Sequence, residues 1–317
     1  MQSKRAEPAG RSRAQGRDAQ PPRETGTAAA GERLAPGLYL VSTPIGNAAD
    51  ITLRALDVLA RADAIAAEDT RETRKLMEMH GVSLAGRPIT AYHDRNGPRA
   101  RPRIAGWLEQ GLAVAYCTDA GSPLIADPGY RLAELAIARG YPVTTLPGAS
   151  AVLAALPLSG LPSDRFLFAG FLPPKSGERR RTLTELAGLR ATLVFYESPR
   201  RLAAALADMA TVLGAARPAA VARELTKLHE EVWRGPLGTL ATAAAEGPPP
   251  RGEIVVMVGP PAADAAGADA DALDAALGAA LARLSVKDAA REVAARLGLP
   301  RRDVYARAVE IAAAARD

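Results

Sequence analysis

The chain has 317 residues, 48% of them apolar and only 4% aromatic, and its 40 Lys and Arg against 35 Asp and Glu leave a formal net charge of +5. That length can bury sizeable cores and favours two domains plus extensions; the scarce aromatics exclude rows of base-stacking rings, and the basic balance fits a polyanionic partner or plain solvated surface. Lone Cys117 excludes an internal disulfide and points to a reducing compartment, the dispersed His80, His93 and His229 give no metal pattern, and no apolar run reaches the roughly 18 residues of a membrane span, so a soluble, cytoplasmic, metal-free protein is expected.

Residues 1–36 are rich in Ala, Arg, Gly, Pro and Gln without an apolar period, which predicts a disordered basic tail. A transit peptide competes, but Glu7, Asp18 and Glu24 interrupt it. Residues 38–41 read as a strand, and Asp50 as the cap of a helix burying Ile51, Ala55, Val58 and Leu59. Strand candidates follow at 64–67, 89–92, 114–118 and 143–146, with helical stretches at 72–79, 98–110 and 130–139 between them. Five strands alternating with helices predict a mostly parallel sheet, an N-terminal α/β domain over 37–148. A connecting helix at 149–158 opens a second α/β domain over 149–260, with strands at 166–169, 192–196, 219–223, 231–234 and 254–258. The short spacing of its third and fourth strands predicts an antiparallel hairpin and therefore a mixed sheet. The Ala/Asp/Gly-rich stretch 261–280 reads as a flexible linker. Over 281–317, Ser285-Val286-Lys287-Asp288 resembles a capping box, Gly298 ends that helix, and a second helix turns Val304, Ala308 and Ile311 inward. This pair reads equally as a helix-turn-helix, with Arg301 and Arg302 meeting phosphates, or as a plain helical hairpin.

The most informative stretch is Cys117-Thr118-Asp119-Ala120-Gly121-Ser122-Pro123-Leu124-Ile125-Ala126-Asp127-Pro128-Gly129, a small-residue turn between strand and helix. Ligands of parallel sheets bind outside the carboxyl ends of strands, where such a turn lets backbone touch a cofactor; an ordinary βα loop is the plain alternative. The run from Asp119 to Gly129 closely resembles the signature of the ribosomal RNA small subunit methyltransferase I family, a tetrapyrrole-methylase-like group of S-adenosylmethionine enzymes. Ser42-Thr43-Pro44-Ile45-Gly46-Asn47, Ala67-Glu68-Asp69-Thr70-Arg71, Leu146-Pro147-Gly148, Gly160-Leu161-Pro162-Ser163-Asp164-Arg165-Phe166, Phe195-Tyr196-Glu197-Ser198 and Ala222-Arg223-Glu224-Leu225-Thr226-Lys227 appear in that family's order. The resemblance implies a two-domain fold, S-adenosyl-L-methionine as donor, 2′-O-methylation of a cytidine in the decoding region of 16S rRNA, free or in the 30S subunit, and a homodimer.

It also implies a cofactor cleft between the domains. Pro44, Ile45 and Gly46 fall after the first strand, Asp119, Ala120, Gly121, Ser122 and Ile125 in the central loop, Ser150 and Ala151 after the Pro-Gly turn, and Glu197, Leu225 and Ile254 in domain two. Methyl transfer from a sulfonium is a displacement that positioning favours and that a proton acceptor assists. Asp69 is the leading acceptor, with His93 behind it, Glu68 beside it, and Lys227 able to lower an oxygen's pKa. Helix caps or interdomain salt bridges are the structural alternative for each. Lys175, Arg179, Arg180 and Arg181, together with Arg71, Arg74 and Lys75, suit phosphate contacts that hold RNA without reading sequence, or else form a solvated run. Two other classes stay open: a small-molecule methylase of the porphyrin or corrin branch, and a noncatalytic nucleic-acid binder.

Overall fold

Strands without polar interruption must be covered on both faces, and the first sheet is built that way. In the computed structural model, which describes residues 33–297, 299 and 301–314, β2 (Ala64–Ala67) and β4 (Ala113–Cys117) are buried at every position. The expected tail falls almost wholly outside the described residues, as does Gly298 as a helix terminator. β1 (Gly37–Val41), β3 (Ile89–Ala91) and β5 (Val143–Leu146) complete an all-parallel sheet of order β3-β2-β4-β1-β5. The crossovers are α1 (Leu53–Arg61), α2 (Thr70–Met79), α3 (Gly97–Glu109) and α4 (Tyr130–Ala138). Because β4 pairs with both β1 and β2, the loops leaving these three strands emerge side by side at the sheet's carboxyl edge. Cys117 ends β4 fully buried, and burial pushes its thiol up to about 12, so it is an inert core residue.

Asp50 does not cap the first helix. Asn47 draws residues 48–50 into a short 3-10 turn by accepting from the Ala49 amide, and Thr52 caps α1 through the amide of Ala55 at 3.1 Å. The cap therefore shifts two residues along the chain.

α5 (Ala151–Ser159), ended by Gly160 in the left-handed conformation, leads to the second sheet. β6 (Phe166–Phe171), α6 (Ser176–Leu186), β7 (Thr192–Glu197), α7 (Leu202–Leu213), β8 (Pro218–Arg223), β9 (Glu231–Pro236), α8 (Leu237–Glu246) and β10 (Ile254–Val258) give the order β6-β7-β10-β8-β9. Only β6 and β7 run parallel; β8 and β9 form the expected antiparallel hairpin. Leu193, Phe195, Val221 and Val256 face Leu206, Met209 and Leu237 on one side of this sheet. On the other, Val194, Ala222 and Val255 pack with Val152 and Leu156 of α5 and with Ile45 of the first lobe. Each such buried aliphatic or aromatic side chain contributes about 1.5–3 kcal/mol, so Ile45 welds the lobes beside the β1 exit.

The stretch expected as a linker is helical. α9 (Ala263–Leu281) packs with α10 (Val286–Leu297) and α11 (Arg301–Ala314) around Leu277, Ala280, Ala289, Val293, Val304 and Ala308. Alanine is the strongest helix former, and Leu273, Leu277 and Leu281 recur every four residues, which outweighs two glycines. Ser285 caps α10: its Oγ accepts from the Asp288 amide at 3.2 Å and donates to Oδ2 of Asp288 at 2.7 Å, so the carboxylate meets the hydroxyl in place of the backbone bond of a full capping box.

Candidate functional site

Three exit loops are tied together by hydrogen bonds. Thr43 and Gly121 exchange backbone bonds of 2.9 and 3.0 Å, joining the loops after β1 and β4. Gly121 has φ +84°, and a Cβ there would press on Ile45 at 3.3 Å, so only glycine serves without strain. Glu68, after β2, accepts through Oε2 from the Thr118 hydroxyl and the Asp119 amide, both at 3.0 Å. Asp119 in turn accepts through Oδ1 from the amide of Asp69 at 2.8 Å. Asp127 closes the loop after β4 on itself, accepting from the amides of Leu124 and Gly129 and from Tyr116 Oη at 3.2 Å. Leu124 and Ala126 are held at φ 71° and 60°, conformations that non-glycine residues keep only where surroundings enforce them.

Between these loops and the second lobe lies a cavity of about 390 Å³, within the range of small-molecule sites. Its first-lobe wall includes Ile45, Glu68, Asp119, Ala120, Gly121, Ser122, Ile125, Asp127, Ser150 and Ala151; its second-lobe wall includes Phe171, Tyr196, Glu197, Leu225, Glu253 and Ile254. Five carboxylates line it, Glu68, Asp119, Asp127, Glu197 and Glu253, and among the described residues the lining contains no Lys, Arg or His. Burial, and after it the charges of Glu68, Asp69 and Glu72, raise the pKa of Asp119 against the pull of the Asp69 amide. Burial likewise raises Asp127. The Glu197 side chain has 0% exposure; its Oε1 accepts from the Ser198 amide at 2.7 Å, and its Oε2 has no hydrogen-bond partner among the described residues. Arg201 Nε lies 3.3 Å from Oε1, without a hydrogen bond. Such a lining favours a guest that brings positive charge and N–H or O–H donors.

A second cavity, of about 510 Å³, adjoins the first along Ile45, Thr118, Asp119 and Ala120. Thr43, Pro44, Gly46, Glu72, Lys75, Leu76, Met79, Lys227 and Glu253 are among its walls. Gly46 is needed there: a Cβ would lie 2.4 Å from Lys227 Cγ and 2.8 Å from Thr226 Oγ1. The Thr226 hydroxyl accepts from the Asn47 amide across the lobes at 3.1 Å.

Eleven of the residues read from the sequence as cofactor-binding therefore share one cavity, Ile45, Asp119, Ala120, Gly121, Ser122, Ile125, Ser150, Ala151, Glu197, Leu225 and Ile254, while Pro44 and Gly46 line only the second. The expected catalytic group is scattered. Asp69 lines neither cavity; it caps α2 through the Arg71 amide and pairs with the Arg71 guanidinium at 2.6 Å, which holds its carboxyl down to about 2. His93 also lines neither, and its amide donates to Asn96 Oδ1. Glu68 lines the first cavity. Lys227 lines the second, with Nζ 2.8 Å from Glu224 and 3.1 Å from Glu253; burial lowers its pKa, but these two carboxylates outweigh it and keep the amine protonated. Phe171, Tyr196, Asp127 and Glu253 were missed. Phe171 and Tyr196, 5.6 Å apart edge to face in a chain with few rings, are the aromatic signal that marks the second-lobe wall.

Arg179 needs correcting outright. Its side chain is 5% exposed and pairs with Asp208, 4% exposed, at 2.5 Å, while Nη1 donates to the Pro174 carbonyl at 3.0 Å. It pins the α6 entry to α7 and is closed to RNA. Arg180 also spends its Nε on Asp208, at 2.6 Å, although half exposed. Lys175, Arg181, Arg71, Arg74, Arg301 and Arg302 are exposed.

Comparison with known proteins is consistent along the chain. The tetrapyrrole (corrin/porphyrin) methylase family matches residues 37–241, and an RsmI C-terminal HTH domain matches 266–312. A protein of Mesorhizobium japonicum named ribosomal RNA small subunit methyltransferase I is 49% identical over 278 residues, 88% of this chain and 93% of that protein. One of the same name from Erythrobacter litoralis is 50% identical, covering 88% and 97%. Among solved structures, a cobalt precorrin-4 methyltransferase superposes with a TM-score of 0.53 at 18% identity, covering 70% of this chain and 94% of its own, which shows a shared fold.

Proposed function

Because the chain belongs to the ribosomal RNA small subunit methyltransferase I family, on the tetrapyrrole methylase fold, we propose that it uses S-adenosyl-L-methionine to methylate a cytidine ribose 2′-oxygen in the decoding region of 16S rRNA. The observation that carries this reading is the first cavity, enclosed by small-residue turns and lined with five carboxylates but, among the described residues, by no basic side chain. When bound there, the donor supplies a methyl carbon made electrophilic by a sulfonium. Ile45, Ala151, Leu225 and Ile254 give apolar walls for the uncharged parts of such a ligand, and Asp119, Asp127 and Glu197 face its positive charge and hydrogen-bond donors. The exposed Arg71, Arg74, Lys175, Arg181, Arg301 and Arg302 hold RNA phosphates, as free rRNA or in the 30S subunit. We further read the active form as a cytoplasmic homodimer, in which exposed Phe166 and Leu167 on the edge strand β6 would be covered.

Calorimetric titration with S-adenosylmethionine tests the donor, with one site per chain expected. Incubating 30S subunits with methyl-labelled donor and mapping the modified ribose tests the acceptor. A chain that does not bind the donor sinks the reading.

A further inference from the structure

The two cavities share Ile45, Thr118, Asp119 and Ala120, with Glu253 opposite in the second lobe. In a direct displacement the attacking oxygen, the carbon and the leaving sulfur lie in line, so the acceptor needs a space contiguous with the donor's. A group on the wall common to both spaces is placed to meet the reacting hydroxyl. The second cavity has room for a nucleoside, and Pro44, Leu76 and the 60% exposed Met79 offer it an apolar side. Resting on the functional reading above, we propose that this second cavity receives the target nucleoside and that Asp119 is the proton acceptor for its ribose hydroxyl.

The other candidates are committed elsewhere. Asp69 is held by Arg71 and its own helix, Lys227 is protonated between two carboxylates, and Glu68 lines only the donor side. Glu253 borders both cavities, but its Oε2 is engaged by Lys227 at 3.1 Å. Asp119 gives Oδ1 to the Asp69 amide, and its Oδ2 forms no hydrogen bond among the described residues. The groups around it are Glu68, Asp69, Arg71 and Glu72 after β2, Asp127 on its own loop, Lys75 of α2, and Glu197, Lys227 and Glu253 of the second lobe. Burial first, and these acidic neighbours after it, make its carboxylate more basic than usual, a favourable trait in an acceptor. In the step, the oxygen–methyl bond forms as the carbon–sulfur bond breaks, the electron pair stays on sulfur as a neutral thioether, and the hydroxyl proton passes to Asp119 and then to solvent.

Asp119→Asn keeps an oxygen for the Asp69 amide and removes the base. In single turnovers on 30S subunits at saturating donor, it should lower the rate by about 10²–10⁴-fold and abolish the wild-type rise of rate with pH through the raised carboxylate titration. Because Asp119 also borders the donor cavity, donor affinity by calorimetry should fall by no more than about tenfold, a change worth ~1.4 kcal/mol and far smaller than the loss of rate. Met79→Arg, at an exposed position, should block the second cavity, losing methylation while donor affinity stays intact. An Asp119→Asn rate within threefold of wild type, a donor affinity that falls as far as its rate, or a fully active Met79→Arg would each overturn the proposal. Wild-type protein that fails to bind the donor overturns the functional reading itself, and this proposal with it.

Discussion

Two charge clusters look alike in the sequence and are opposites in the fold. The carboxylates around the first cavity stand, among the described residues, without a basic side chain in the lining, whereas the arginines at the start of α6 converge on Asp208, which also takes the Ser176 hydroxyl at 2.9 Å. The same electrostatic rules act on both. In the first, burial and acidic neighbours raise the pKa of Asp119 and Asp127, which leaves a demand for a cation; in the second, matched partners lower the pKa of Asp208 and contribute stability. What separates a binding site from a structural clasp is therefore the pairing state of the charges, not their number.

Breaking the clasp should have the largest effect. Arg179→Ala leaves Asp208 buried without its closest partner and is expected to cost about 3–5 kcal/mol of unfolding free energy, read by denaturant titration. Catalytic loops need not change; a variant as stable as wild type would show that Arg180 and Ser176 alone suffice for Asp208. Next comes the open cluster. Glu197→Gln should weaken S-adenosylmethionine binding by about 1.5–3 kcal/mol, the range for hydrogen bonds to charged groups, and weaken binding of the uncharged-sulfur product less. Equal losses for both ligands would mean that Glu197 does not sense the charge.

The comparison also predicts opposite pH slopes. Asp208 has a depressed folded pKa: burial raises it, but hydrogen bonds from Arg180, Ser176 and Arg179 more than compensate. Its contribution to stability is present above the unfolded value near 3.8 and is lost as pH falls through the folded one. Asp119 has a raised folded pKa, so its contribution is present below the unfolded value and is lost as pH rises through the folded one. Asp119→Asn should accordingly be more stable than wild type at pH 7, and acidification should erase that gain. A variant less stable than wild type at pH 7 would contradict the assignment. The smallest effect belongs to the exposed neighbour: Arg181→Ala should leave stability within about 0.5 kcal/mol while modestly loosening 30S binding and its dependence on salt.

Much of the fold was legible because its signals are local. Alternating apolar runs and turn residues mark the ten strands near their observed places, and the β8–β9 hairpin follows from spacing. The errors came where local rules compete, at Asp50 against Thr52 for a cap, and at the Ala-rich 263–281 stretch, where leucine spacing was the better guide than composition. The site divided in the same way. The order of the motifs brought the small-residue turns to one cavity, since each turn follows its own strand to the same sheet edge. Which carboxylate is free, however, depends in part on groups far apart in the chain: Asp69 is held by its near neighbour Arg71, but Lys227 of the second lobe meets Glu253, and Asp119 meets the Asp69 amide from another loop.

The amino-acid sequence by itself determined the two α/β lobes, the family and the set of loops from which a donor site is made, because strand patterns and turn chemistry are properties of neighbouring residues. Only the tertiary structure decided that Asp119 stands between two cavities and that Arg179 is a clasp. Burial and charge pairing are set by groups that meet through folding, and no reading of adjacent residues contains them.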